Sequence, residues 1–154
     1  MRIGGDPERS STAFLLAQLG FTAARRFAGR LAPLSLEPRH VGLMRVIAGA
    51  EGQTQQALGE RLGIAPSRMV AFVDDLERRG LLERKRNPAD RRAYALHLTE
   101  HGHTALAEAL REAAAHDAEL LAPLAEAERA QLHDLLSRLA RAHGVGEAPH
   151  WRSA

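Results

Sequence analysis

Apolar residues recur at steps of three and four over most of this chain, and the step changes only once. Leu16, Leu19, Ala23, Phe27 and Leu31 form one stripe of a first helix that Ser10 or Ser11 can cap and Pro33 stops. Pro38 suits the first turn of a second helix, where its missing N–H costs nothing. That helix carries Val41, Met44 and Ile47 on one face and ends near Gly49–Gly52. Thr54 caps a short third helix, with Leu58 and Leu62 four apart and Gly63 ending it. Pro66 opens a fourth, in which Met69, Phe72, Val73 and Leu76 follow the i, i+3, i+4, i+7 rule and Gly80 is a left-handed cap. From Leu81 the period drops to two: Tyr94, Leu96 and Leu98 alternate with Ala93, Ala95 and His97, as in a half-buried strand. The run LLERKR before it is the partner strand, and NPAD is the turn between them. The helical period then returns. Thr99 caps a fifth helix to about Leu121, Pro123 breaks it, and a sixth, presenting Leu132, Leu135, Leu136 and Leu139, runs to about His143. The predicted class is mainly α with a small β-hairpin, ordered as four helices, a hairpin and two helices.

Composition narrows this picture. A chain of 154 residues is expected to form one domain, burying ~68–70% of its unfolded surface. Aromatics are only 4%, so the core must rest on Leu, Ala and Val. There is no cysteine, which excludes disulfides, thiolate metal sites and thiol redox sensing. No run approaches the ~18 apolar residues of a membrane span, and the N-terminus carries no apolar signal region, so a cytoplasmic protein is expected. Residues 1–9, with their Gly and Pro, are expected to be frayed, and 144–154 form a tail of undetermined order.

The net charge of +2 hides an asymmetry. Residues 61–92 hold nine basic and five acidic side chains, whereas 99–141 hold four basic and eight acidic. Such a split suggests one surface for a polyanion and another for a different contact. The basic part has a focus: Arg84, Lys85, Arg86, Arg91 and Arg92 crowd around Asn87–Pro88. Cations on one projecting turn repel each other, and the arrangement is favoured when a polyanion approaches.

The third and fourth helices, joined through a tight Gly-containing turn, describe a helix-turn-helix. With Met69, Phe72, Val73 and Leu76 facing inward, the opposite face shows Ser67, Arg68, Val70 and Ala71. Arg68, in the first turn, can make a bidentate contact to guanine, and Val70 and Ala71 are small enough to meet a thymine methyl. Thr54, opening the third helix, joins these candidates. Asp90 lies two residues from Arg92, on the same side of a strand, where a carboxylate can hold the guanidinium extended for a narrow minor groove. Taken singly, Arg68 reads as a solvated arginine and Asp90–Arg92 as an incidental surface pair; the basic hairpin beside the helix-turn-helix favours duplex DNA.

The stretch LGERLGIAPSRMVAFVDDLERRGLLERKRNPADRRAYALHLTEHG resembles the MarR family of winged-helix regulators. The family's Asp-x-Arg followed by Leu-Thr-x-x-Gly matches Asp90, Arg92, Leu98, Thr99 and Gly102, and its LxxxGLLxR run matches Leu76, Gly80, Leu81, Leu82 and Arg84. The likeness extends from about Ser10 to His143. It implies a DNA-binding region over 37–98 flanked by dimerisation helices at 10–36 and 99–143, a homodimer, and a regulator expected to act as a repressor. It also implies that Arg92 enters the minor groove, that Asp90 orients it, and that Ser67 and Arg68 read bases. The broad Leu/Ala faces at both chain ends point to a twofold pair independently, since one small unit covers them poorly. Ala71, at a position often basic in the family, and acidic Asp75 are departures that concentrate base readout on Arg68.

Many members of that family release DNA when a small aromatic or phenolic anion binds between the first, second and fifth helices. Phe21, Arg25, His40 and Met44 are the candidates here; their alternative reading is core and dimer packing. His97, His101 and His103 form an H-x3-H-x-H run, but its split between a strand and a helix argues against a zinc site. No metal and no cofactor are expected. No nucleophile elbow, zincin helix or P-loop is present, so an enzyme is not expected. A helical protein that binds only partner proteins would leave the cationic hairpin unexplained.

Overall fold

The computed structural model describes residues 11–145; the expectation for 1–9, the cap candidate Ser10 and the 144–154 tail beyond Val145 lie outside them. The chain forms α1 (Thr12–Leu31), a 3-10 turn at Ala32–Leu34, α2 (Pro38–Ala48), α3 (Gln55–Leu62), α4 (Pro66–Arg78), β1 (Leu82–Arg86), β2 (Tyr94–Leu98), α5 (Glu100–Leu120) and α6 (Glu126–Ala142). The element order is the one the periodicities predict, and the boundaries follow local chemistry. Ser11 accepts the Phe14 N–H, Thr54 the Ala57 N–H and Thr99 the Gly102 N–H, each satisfying a donor that a helix start leaves unpaired. Gly63 and Gly80 take φ of 63° and 70°, which lets the chain reverse after α3 and after α4.

β1 and β2 pair antiparallel from Leu82↔Leu98 to Arg86↔Tyr94. The free edge of β2 is used as well: the Gly52 N–H donates to Leu96 O, the Leu96 N–H donates to Gln53 O, and Thr54 bridges to Ala95. That segment helps bury Ala95, which two-residue alternation put on the outer face. Tyr94 departs in the opposite direction. It is 46% exposed because the hairpin has left the body of the protein at that point.

The core is built where α2, α4, β2 and the start of α5 meet, around Leu31, Met44, Ile47, Leu58, Met69, Val73, Leu76, Leu96 and Ala109. α1 lies along α5, joined by Arg30, which pairs with Glu112 at 2.9 Å and also with Glu119, and by a Phe27–His116 ring stack with centroids 5.9 Å apart. Thr99 locks α5 to the end of α4: its hydroxyl donates to Gly80 O at 2.6 Å while its backbone N–H donates to Leu81 O. Gly102 permits this approach, since a Cβ there would stand 1.9 Å from Leu81 O. The Leu-Thr-x-x-Gly motif is thus a joint between helix and hairpin.

The outer halves of the long helices are different. Phe14, Leu19 and Phe21 on α1, Leu110 on α5, and Leu135, Leu136 and Leu139 on α6 are exposed in the single chain. α6 has no buried residue at all. Apolar side chains repeating along helix faces without a cover mark an interaction surface.

Candidate nucleic-acid interface

Two neighbouring features project from the 37–98 region. The first is the start of α4. Ser67, Arg68, Val70 and Ala71 are all exposed there, opposite the buried Met69, Val73 and Leu76. The Arg68 guanidinium lies over the Phe72 ring, 5.6 Å from its centroid, which steers the side chain along the helix surface.

The second is the hairpin tip. Asn87 to Ala93 form two consecutive turns: the Asp90 N–H donates to Asn87 O, and the Ala93 N–H donates to Asp90 O. Side-chain acceptors stiffen both, as Asn87 Oδ1 takes the Ala89 N–H at 3.0 Å and Asp90 Oδ1 takes the Arg92 N–H at 2.9 Å. Asp90 and Arg92 therefore do not share a strand face, and the expected carboxylate–guanidinium clasp is replaced by a carboxylate–backbone bond. Asp90 shapes the turn that presents Arg91 and Arg92, since an Asp side chain readily bonds backbone two residues on. Arg86, Arg91 and Arg92 are exposed, and exposed Lys85 pairs with Glu83 at 3.0 Å.

The two features adjoin through α3. Thr54, Asp90 and Arg92 line one cleft of about 250 Å³ with Gln55, Gln56 and Tyr94. Sequence reasoning missed Gln55, Gln56 and Tyr94 as parts of this surface. The first two follow the cap of α3 directly, and Tyr94 was assigned to a buried face.

Arg84 belongs elsewhere than with the tip cations. Its side chain is only 17% exposed and turns back toward α4, binding Asp74 at 2.6 Å, Glu77 at 2.5 Å and Gln55 of α3 at 3.2 Å. One guanidinium thus ties the hairpin base to two helices and neutralises two carboxylates on the later part of α4. Replacing Arg84 with Met is expected to lower stability by about 1–2 kcal/mol, a figure discounted for half-exposed partners. The salt dependence of DNA binding should stay unchanged. A direct phosphate contact would instead lower the salt slope by about 1 with stability intact; urea titrations beside binding isotherms at several salt concentrations distinguish the two.

Asp75 also departs from expectation, because it is turned inward. Its Oδ2 meets His40 Nε2 at 2.8 Å, and its Oδ1 accepts from Arg79 at 3.1 Å and Arg78 at 3.3 Å. Burial alone would raise its pKa, but the bonds from His40 and Arg79 hold it below the ordinary aspartate value. The acids on the exposed face are Asp74 and Glu77, so the part of α4 fit for bases is still its first half.

The four effector candidates do not converge. Phe21 and Arg25 line an outer cleft of about 330 Å³ with Thr22 and Arg26. Met44 is buried in the core, and His40 is buried against Asp75. In the histidine run, His97 and His103 both approach Glu51, at 3.9 and 2.8 Å. Among the described residues, no group of three or more His, Cys, Asp or Glu side chains could hold a metal.

A family model described as MarR family matches residues 34–93. A relative from Thauera aromatica, assigned as a transcriptional regulatory protein for the hcr operon, is 35% identical over 150 residues, covering 89% of this chain and 90% of that one. The chain belongs to the MarR family. MarR proteins are transcriptional regulators with a DNA-binding winged-helix fold, and the hairpin described above corresponds to the wing of that fold. The fold agrees with solved structures. The transcriptional repressor CouR bound to a 23-mer DNA duplex superposes with a TM-score of 0.76 at 28% identity, covering 91% of this chain and 99% of that one. The PcaV regulator of Streptomyces coelicolor gives 0.72 at 28% identity, with 89% and 100% covered. No helix among the described residues is long and apolar enough to cross a membrane.

Proposed function

We propose that this MarR-family chain is a cytoplasmic homodimeric repressor that reads a pseudo-palindromic operator. The start of α4 enters the major groove, with Ser67, Arg68, Val70 and Ala71 at base edges. The wing carries Arg92 into the minor groove, with Lys85, Arg86, Arg91 and Thr54 at phosphates. The observation that carries this reading is the shared cleft of Thr54 and Arg92, which sets the exposed wing beside the helix-turn-helix. Residues 10–36 and 99–143 form the dimerisation region. The bare apolar faces of α1 and α6 support this assignment, because a second copy related by a twofold axis would cover them. Twofold pairing puts half-sites one helical turn apart, ~34–36 Å. The similarity to a repressor bound to duplex DNA supports the mode of binding.

Selection of bound duplexes from a random pool tests this directly. The expected product is an inverted repeat with centres about 10 bp apart. Binding to it should weaken linearly with salt on logarithmic axes, and Arg92→Ala should lower that slope by about 1 per half-site. A pool that yields no enriched duplex at low salt overturns the reading.

A small aromatic anion is the proposed releasing ligand. The cleft over Phe21 and Arg25 supports it, offering a ring face beside two guanidinium groups. His40 and Met44 are withdrawn from that role by their burial.

A further inference from the structure

His40 is the one polar side chain buried among the core residues described, at 4% exposure, and neither DNA contact nor a ligand cleft uses it. Its two ring nitrogens have different partners. Nδ1 accepts the backbone N–H of Glu37 at 2.9 Å, capping the start of α2, so it carries no proton. Nε2 then bears the ring proton and donates it to Asp75 Oδ2 at 2.8 Å, in the last turn of the recognition helix. The imidazole is therefore a neutral strut between the start of α2 and the inner face of α4. Arg79 extends the same link, bonding Asp75 on α4 and donating to Ser35 O, just before α2, at 2.8 Å.

We propose that His40 is a proton-sensitive positioning residue for the recognition helix, and that a second proton on its ring loosens the link and weakens operator binding. This rests on the DNA-binding reading above. A proton added at Nδ1 would face the Glu37 N–H head to head, so the cap of α2 must open. The Nε2 contact to Asp75 would be strengthened by charge, but Asp75 is already shared with Arg78 and Arg79. The charged groups acting on the ring are Asp75 and Arg79 from α4 and Glu37 from the turn before α2, which itself pairs with Arg39. Burial pushes the His40 pKa below its ordinary value, with Asp75 offsetting only part of that. The unfolded chain consequently takes this proton first. The contribution of His40 to stability is complete above about pH 6.5 and declines as the pH falls toward the folded value.

The test uses the full-length dimer and the duplex recovered by the selection, between pH 5 and 7.5. His40→Gln keeps an acceptor for Glu37 and a donor for Asp75 but cannot titrate. It is expected to match the wild type at pH 7.5 and to bind more tightly than the wild type at the acid end. His40→Leu is expected to weaken binding about tenfold at pH 7.5, the scale of one lost buried bond to a charged group. Nitrogen chemical shifts of the His40 ring should report an Nε2–H tautomer that titrates in step with the wild-type affinity. Parallel affinity–pH curves for wild type and His40→Gln overturn the proposal, as does an Nδ1–H tautomer. A wild type that binds no duplex at any pH overturns the DNA-binding reading instead. The ring titration and exchange of α4 amides then decide the strut alone, with an α4 that exchanges no faster once His40 is protonated counting against it.

Discussion

Gly102→Ala is expected to destabilise the protein by about 3 kcal/mol, at the upper end of what inserting a methyl group into a packed site costs. The added Cβ would lie 1.9 Å from Leu81 O and 2.9 Å from Leu81 C. Both atoms are backbone, so no side-chain rotation relieves the overlap. Relief requires α5 to lift off the chain after Gly80, and that motion breaks two bonds made by Thr99, to Gly80 O and to Leu81 O. The wing starts at Leu82, so the same motion displaces it from α4, and DNA binding should fall together with stability. Gly29→Ala is the matched control. It lies in α1 with nothing within 4 Å of the added atom, and alanine there should stabilise the helix by about 1 kcal/mol. Urea denaturation of both variants measures the contrast; equal midpoints would mean that the packing at Leu81 is looser than described.

Arg68→Ala is expected to be the most damaging single change for operator recognition. One bidentate contact to guanine contributes about 1–3 kcal/mol of discrimination, and a twofold dimer loses it twice, giving about 2–6 kcal/mol. The loss should be confined to the selected duplex, leaving affinity for a scrambled duplex within a few-fold. Arg92→Ala should weaken binding to both, because a side chain in the minor groove reads shape and charge more than base identity. The contrast arises from position: Arg68 stands in the first turn of α4, while Arg92 stands on a turn that Asp90 shapes. Competition binding with the two duplexes is the measurement. An Arg68→Ala variant that weakens both equally would make it a phosphate contact.

Much of this protein was legible from the spacing of its residues. All six helices and the hairpin were predicted in order, because most boundaries are set by local chemistry. Ser, Thr and Pro at helix starts and Gly at helix ends act within a turn of their own position. The buried stripe of α4 follows from Met69, Phe72, Val73 and Leu76 alone. Membership of the MarR family was legible for a related reason: its wing motif is a run of local constraints, in which the Thr99 N–H and the bare Cα of Gly102 both meet one carbonyl at Leu81.

Partners distant in sequence were not legible. Arg84 counted with the wing cations on charge alone. Only the folded chain brings it to Asp74 and Glu77, across the reversal at Gly80, and removes it from the exposed surface. Asp75 read as an acid on the DNA side because helical periodicity alone does not reveal a buried imidazole 35 residues earlier in the chain. The Asp90–Arg92 clasp failed for a smaller reason, since a strand was extended by rule through residues that form a second turn. Side-chain period and capping are short-range properties that one stretch of chain determines by itself. The partner a charge finds depends on which elements pack together, and here the tertiary structure decided it.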